Sequence, residues 1–522
     1  MKAETMVRLA NWMLRLAIGL SVILAFVCLS FMTVGTDEAW VLMGVRSLYS
    51  PFEAGVTSSP ILTSSGLYTI VESLLFQLST DTIWVHRIFP LACWFAICTL
   101  LFRHEKANDS DFDNCLIPMA VMIGAPGTLI VASSALGTVP AFFLFLLASM
   151  YWFRTGHKPR IKVLVSGCLF GLAAATRTDL ILFAPAIIIA SLTCPDVTKR
   201  ISRFTEAVSA TILGMLVFVL NGIIHEYLKS PEEHEIDLGA TTGIAGALFD
   251  YPQILNKFII SNSFLPFSVM VVITCLAFYK RSQKKDFEWQ YFLICFGFIS
   301  WAAWIVRAPI PHLRYLWPGQ AAFAVVLGIN LSRLSWQNRS NRFLRLACVC
   351  ISLGMVVDGL GCTFRHVVCG NSDIVSWEWS REIDLNYFRR FQHLEDEHEL
   401  KKYLVESAIP GEIFAVTGPP YRYRYLTGLP CFDYKRFPAD LLQEQGKQYR
   451  FVLGPEVGNY FYFHPKAFAF FRDDCELEKE VGDFSIYRVT DVDRLNSMPA
   501  FLRTNYSSHP GSATRFGVHL DR

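Results

Sequence analysis

The sequence predicts a polytopic α-helical membrane protein of about eleven spans with a small C-terminal α/β extramembrane domain. Composition is the first reason. Of 522 residues, 52% are hydrophobic and only 18% charged, with a mean hydropathy of +0.35, a balance that water-soluble chains of this length rarely reach. The second is recurrence: apolar segments run near 12–34, 88–102, 115–132, 139–153, 163–176, 180–193, 207–224, 258–279, 290–306, 314–331 and 346–361, several of them shorter than a full span. The third is charge. Lys and Arg concentrate in alternate loops, as the positive-inside rule requires. A net charge of +2 offers no basic surface for nucleic acid, so no nucleic-acid partner is expected.

The run from Trp12 to Val34 is span length rather than a short signal core, and no small-residue cleavage site follows it. It reads as a retained first helix with its N-terminus on the cytoplasmic side. Inner loops are then "RTGHKPRIK" (Arg154, Lys158, Arg160, Lys162), the stretch with Lys199, Arg200 and Arg203, "KRSQKK" from Lys280 and "RLSWQNRSNRFLR" from Arg333. Loops on the other side are poor in base, and the one beginning "HEYLKSPEEHEIDLG" is acidic. The segment from Ser47 to His86 contains "GLYTIVESLLFQLS", apolar enough to suggest a span. It carries Glu72, and counting it as a span would invert every later loop. It reads instead as an amphipathic helix on the outer surface, within an outer loop over 35–86.

Three parts follow: a transmembrane catalytic region over 1–361, an outer α/β domain over 362–495, and a loosely ordered tail over 496–522. In the second, a polar helical stretch from Arg381 precedes "EIFAVTG", "YRFVLGPE" and "FSIYRV", which read as short strands. The tail has Ser, Gly and Pro and little apolar pattern. Cys362, Cys369, Cys431 and Cys475 lie in the outer region, where a disulfide can form but spacing does not give the pairing.

The polar groups gather at the outer mouths of the spans. "TDEAW" puts Asp37 and Glu38 just past the first span; "VHRIFPLACW" opens the second with His86 and Arg87; "TRTDLILFAP" holds Arg177 and Asp179; "RAPIPHLRYLWP" holds Arg307, His312 and Arg314. Ionisable groups at such depth are costly unless paired or used. One reading is a cleft for a phosphate-bearing lipid: guanidinium groups bind phosphate oxygens bidentately, and a carboxylate takes the proton of an attacking hydroxyl. The other is that the arginines anchor helix ends beside aromatic residues, and that Arg177 and Asp179 pair with each other. "GPPYRYRYLTG", with Tyr423 at its centre, suits either sugar stacking or a strand of alternating exposure.

The order of these motifs resembles the C-type (GT-C) polyprenyl-phosphate-dependent glycosyltransferases, among them the protein O-mannosyltransferases and the aminoarabinose transferase of lipid A. The resemblance covers most of 12–330 and implies a GT-C-like fold. By it, Asp37 is the catalytic carboxylate and Glu38 assists it, with a divalent metal cation at Asp37 and Glu38 if one is used. Arg87 and Arg314 contact the lipid phosphate. Read from the residues themselves, His312 and Tyr315 are candidates for the same phosphate and Arg177 and Tyr423 for contact with the acceptor. The expected reaction moves a sugar from a polyprenyl-phosphate donor to a hydroxyl of a glycan, lipid or protein acceptor, with inversion, at the periplasmic face of a bacterial inner membrane. Two positions depart from the pattern. "VTSSPILTSSG" has a lone Pro60 and no base where members often carry one before Pro-Pro, and "ALGTVPAFF" has Thr138 where many have Asp. A transporter or flippase of lipid-linked sugars, using the same basic cleft without chemistry, and a non-catalytic scaffold are the alternatives.

Overall fold

The computed structural model describes residues 3–31, 38, 41–42, 66–76, 83–107, 111–125, 127–153, 158–192, 197–228, 287–307, 317–337, 341–369, 389–410, 412–416, 423, 427–429, 431–433, 449–453, 475–482 and 484–489. The helices are α1 (Ala3–Phe31), α2 (Gly66–Phe76), α3 (Ile83–Lys106), α4 (Phe112–Gly124), α5 (Thr128–Ala132), α6 (Thr138–Phe153), α7 (Pro159–Thr176), a 3-10 turn (Thr178–Leu182) running into α8 (Phe183–Leu192), α9 (Val197–Leu228), α10 (Phe287–Arg307), α11 (Trp317–Gln337), α12 (Arg342–Cys369) and α13 (Arg389–Ser407). Five strands follow: β1 (Ile413–Val416), β2 (Cys431–Asp433), β3 (Tyr449–Leu453), β4 (Cys475–Val481) and β5 (Phe484–Val489).

Among the described residues, five helices are long and apolar enough to cross a bilayer: Glu4–Leu29, Ile83–Lys106, Pro159–Thr176, Lys199–Ile223 and Arg342–Gly361; Phe112–Gly124, Thr138–Phe153 and Thr178–Leu192 are apolar but shorter. On α1 and α9 the outward faces are apolar too. Ile23 is 61% exposed and Ile212 64%, and a helix that is apolar all round belongs in lipid. The chain is an integral, multi-pass membrane protein.

The polar ends of these helices pair up and so sort the bundle into two levels. At the basic level Arg15 Nε donates to Asp113 at 3.0 Å, joining the middle of α1 to the start of α4. Arg203 pairs with Glu288, joining the starts of α9 and α10. Arg333 lies 3.4 Å from the buried Glu105, joining the ends of α11 and α3. Ser332 Oγ stands 2.9 Å from Glu105 and 2.8 Å from the Asn114 carbonyl. The span expected over 258–279 lies outside the described residues, as does the tail.

Four expectations shift. The segment 115–132 is not one helix: α4 stops at Gly124, and α5 restarts after Gly127, whose φ of 71° is left-handed and favours glycine. The first helix begins at Ala3 rather than near Trp12, and α12 runs to Cys369 rather than ending at Gly361. The amphipathic segment does form a helix, α2, yet Glu72 is wholly buried within it. Its acid faces protein, so amphipathicity towards water does not explain its place.

The helical core is aromatic. Phe145 sits 4.3 Å from Phe296, and Phe170 stacks on Phe183 at 4.6 Å with the rings 2° from parallel. Elsewhere the helices close to backbone contact. A Cβ on Gly124 would meet the Met355 carbonyl carbon at 2.4 Å, and one on Gly359 would meet the Ile123 carbonyl oxygen at 2.8 Å, so α4 and α12 cross through two glycines.

In the C-terminal part the sheet order is β2-β1-β3-β5-β4. β1 is parallel to both neighbours, and β3, β5 and β4 are antiparallel in turn. α13 lays Leu400 and Leu404, one turn apart, against Phe414, Val416, Val452 and Ile486. The three strands read from the sequence are β1, β3 and β5. β2 is only three residues long, and "CELEKEV" of β4 is a charged edge strand whose composition hides it. Buried Arg450 ties the unit together: Nε lies 3.0 Å from both Glu412 and Glu478, Nη1 donates to Ser407 Oγ at 2.8 Å and Nη2 to the Ser407 carbonyl at 3.0 Å. Burial lifts the Glu412 carboxyl above its ordinary range while Arg450 pulls it back. Cys431 and Cys475 begin the two edge strands, four strand spacings or about 19 Å apart, too far for a disulfide between them.

Replacing Gly124 with Ala should cost about 1–3 kcal/mol, read as earlier thermal unfolding in detergent, because α12 backbone must move. Replacing Arg450 with Met leaves the buried Glu412 carboxylate without its cation, while Glu478 keeps Arg488 at 3.1 Å. At about 3–5 kcal/mol the β1 and β3 amides should exchange roughly 10²-fold faster or more, with α10 and α11 amides unaffected.

Candidate functional site at the ends of α1 and α3

α1 ends at Phe31, and α3 enters nearby from Ile83. Arg87, in the second turn of α3, is wholly buried, and Glu38 is 1% exposed. Arg87 Nε donates to Glu38 Oε1 at 3.0 Å and Nη2 to Oε2 at 2.8 Å, a two-pronged pairing. The remaining nitrogen, Nη1, donates to the Leu29 carbonyl at 2.9 Å. That oxygen belongs to the last turn of α1, where carbonyls lack helical partners. Glu38 Oε1 also accepts the Ala135 amide at 2.6 Å. One ion pair thus joins the end of α1, the chain after it, the start of α3 and the turn between α5 and α6.

That turn, 133–138, is the hub. Ser133 Oγ donates to the Ala25 carbonyl at 3.2 Å. Gly137 has no room for a side chain: a Cβ would meet the Thr176 carbonyl at 2.9 Å and Tyr68 Cγ at 3.2 Å. Thr138 accepts a close hydrogen bond from Arg177 Nη1, while Arg177 Nε donates to Asp179 at 2.8 Å. Thr138 is therefore used, its hydroxyl holding the Arg177 guanidinium against the hub turn. Arg177 and Asp179 pair with each other, the bland alternative the sequence allowed, and reach the hub through Thr138.

A second buried pair stands beside the first. His86 Nδ1 lies 2.6 Å from Glu72 Oε2, with the two side chains 1% and 0% exposed. Tyr68, one turn before Glu72 on α2, is buried against both and stacks on Phe89 at 6.3 Å. Burial raises the Glu72 carboxyl, opposed by His86 and Tyr68. Burial, then Glu72, raises the Tyr68 phenol well above its ordinary value.

The structure brings together Glu38, His86, Arg87, Arg177 and Asp179 around one turn, at the level opposite the basic ends. Asp37, His312, Arg314 and Tyr315 lie outside the described residues; Trp317, the penultimate residue of the "HLRYLWP" motif, is buried and donates to Thr128 Oγ1 at 3.0 Å. Arg87, read from sequence as a lipid-phosphate ligand, turns its guanidinium on Glu38 and α1. Glu38, read as an assistant acid or cation ligand, has its oxygens on Arg87 and the Ala135 amide. The Asp37 half of any shared cation site lies outside the described residues. Among the described residues, no three His, Cys, Asp or Glu are grouped to hold a metal. Tyr423, read as an acceptor contact, is 5% exposed and packs into the apolar core of the C-terminal sheet. Sequence reasoning missed the Glu72–His86 pair and the Ala135 amide. A lone acid in an apolar helix was the signal for the first, and no sequence signal marks a backbone donor.

An up-and-down bundle with its polar hub at one level, followed by a small mixed sheet, is the GT-C-like membrane fold. No protein-family model and no curated protein matches the chain. Among solved structures, ArnT from Cupriavidus metallidurans in the apo state superposes with a TM-score of 0.58 at 10% identity, covering 91% of this chain and 97% of that one. The same protein bound to undecaprenyl phosphate gives 0.54 at 12% identity, covering 91% and 98%.

Removing Arg87 should strand a buried carboxylate. Arg87→Met is expected to lose about 3–5 kcal/mol, whereas Arg87→Met with Glu38→Leu should lose less than the sum of the single changes. Unfolding midpoints in detergent for the three variants decide it; additive losses would mean the pair is not coupled.

Proposed function

We propose that the protein is a membrane glycosyltransferase that moves a sugar from a polyprenyl-phosphate donor to an acceptor hydroxyl, with inversion, on the non-cytosolic face. The observation that carries the reading is the locked peptide at Glu38. Consecutive Cα atoms are about 3.8 Å apart, so fixing Glu38 from three sides fixes the chain beside Asp37, the carboxylate that the family resemblance makes catalytic. The likeness to ArnT, solved with undecaprenyl phosphate, supports a polyprenyl-phosphate carrier.

In this reading Asp37 takes the proton of the acceptor hydroxyl as its oxygen attacks the anomeric carbon. The bond from that carbon to the phosphate oxygen breaks, and the lipid phosphate leaves with the electron pair. Arg314, with His312 and Tyr315, holds the phosphate as its charge grows. Arg87 acts one step back, keeping Glu38 and the end of α1 in register, and Arg177 keeps the hub turn in place. The distribution of Lys and Arg supports a cytosolic basic level, which goes with a reaction on the periplasmic side of a bacterial inner membrane. The acceptor is a glycan, lipid or protein hydroxyl. No step is routed through a metal.

The test uses purified protein in detergent, a panel of radiolabelled undecaprenyl-phosphate-linked hexoses and pentoses, and a bacterial envelope extract as acceptor. Label should pass to the acceptor with wild type. Asp37→Asn should lower the rate about 10²–10⁴-fold with undecaprenyl phosphate binding retained. Undiminished transfer by Asp37→Asn removes it as the base, and donor movement across liposomes without transfer points to a flippase.

A further inference from the structure

We propose that Glu72 and His86 form a positioning pair for glycosyl transfer, setting the rotation of α3 that aims Arg87 at Glu38; this rests on the function proposed above. α2, "GLYTIVESLLF", carries one acid in an otherwise apolar and uncharged sequence, and that acid is fully buried on an imidazole. A buried ionisable pair is weak evidence for stability, because well-packed apolar residues of similar volume do as well or better. What such a pair supplies is direction.

The direction follows from the chain. His86 and Arg87 are consecutive on a helix, so their side chains leave the axis about 100° apart. One reaches Glu72 on α2, and the other reaches Glu38 beyond α1. Two short polar contacts at 100° fix the turn of α3 about its own axis, which apolar packing alone leaves soft. If α3 rotates, Arg87 leaves Glu38, and the peptide beside Asp37 is released. Glu72 and His86 touch no substrate in this scheme; they act through Arg87.

The contact is made by His86 Nδ1 in particular, 2.6 Å from Glu72 Oε2, and this gives a test that packing alone would not pass. Asn presents its amide nitrogen near the place of Nδ1, whereas Gln presents it near the place of Nε2. In the transfer assay above, His86→Asn should keep kcat within about threefold of wild type. His86→Gln and Glu72→Gln should lower kcat by about 10²-fold, the cost of roughly 1 Å of misplacement, with KM for the donor unchanged because only the transition state is affected. Rates are taken per folded protein, measured by size-exclusion chromatography. Equal kcat for the Asn and Gln variants overturns the pairing, as does a loss confined to KM or to the folded fraction. If Glu72→Gln does not fold, the two His86 variants decide alone. Absence of transfer by wild type with every donor overturns the function proposed above and this inference with it. Wild-type transfer with unchanged kcat in His86→Gln overturns this inference and leaves that function standing.

Discussion

The arrangement depends on one interaction, the two-pronged bond between Arg87 and Glu38. Neither group can reach water, and an unpaired charge there would cost several kcal/mol. Each therefore has to find the other before the outer ends of α1 and α3 can close. Once it is made, Arg87 has a nitrogen left for the Leu29 carbonyl and Glu38 a lone pair for the Ala135 amide. Four chain segments far apart in sequence are thereby brought to a common level without any apolar contact specifying that level. Apolar packing between helices in lipid is permissive along the helix axis, since lipid tails are as apolar as Leu. The polar contacts supply the missing coordinate.

The two ends of the bundle use charge differently. At the basic end three pairs are partly exposed, Arg15 with Asp113, Arg203 with Glu288 and Lys162 with Glu206, and one reaches the buried Glu105 from Arg333. The exposed pairs contribute little each. At the other end the Arg87–Glu38 and His86–Glu72 pairs are buried side by side. A protein that needed only to stay in the membrane would require the first kind. The second kind holds a constellation of side chains still.

Much of the fold was legible in the sequence, because span composition, loop charge and strand periodicity are local. Nine of the apolar segments each fall on one helical stretch and a tenth is divided between α4 and α5, and β1, β3 and β5 were readable from alternation. What escaped was set by contacts between distant residues. The break between α4 and α5 follows from Gly127 adopting a left-handed φ, which an apolar run conceals. β4 is polar because it is an edge, so pattern-reading discards it. At the site, the sequence located Glu38, Arg87, Arg177 and Asp179 at the right depth but not their directions. Depth is encoded by position along a span, whereas whether a guanidinium looks towards a ligand or a neighbouring carboxylate depends on the rotation of each helix. Tyr423 misled for the same reason, since an aromatic residue in a polar stretch does not show whether it faces a ligand or the core.

The adjacency of His86 and Arg87 has an evolutionary consequence. Two neighbouring positions on one helix, each tied to a different element, form a mechanical key whose teeth are one residue apart. Inserting or deleting a single residue in the first turns of α3 would swing both teeth by about 100° and disengage them together. Lengthening the connection between α2 and α3 would leave them in mesh. Variation in chain length among related sequences should therefore accumulate before Ile83 and be excluded between there and Arg87.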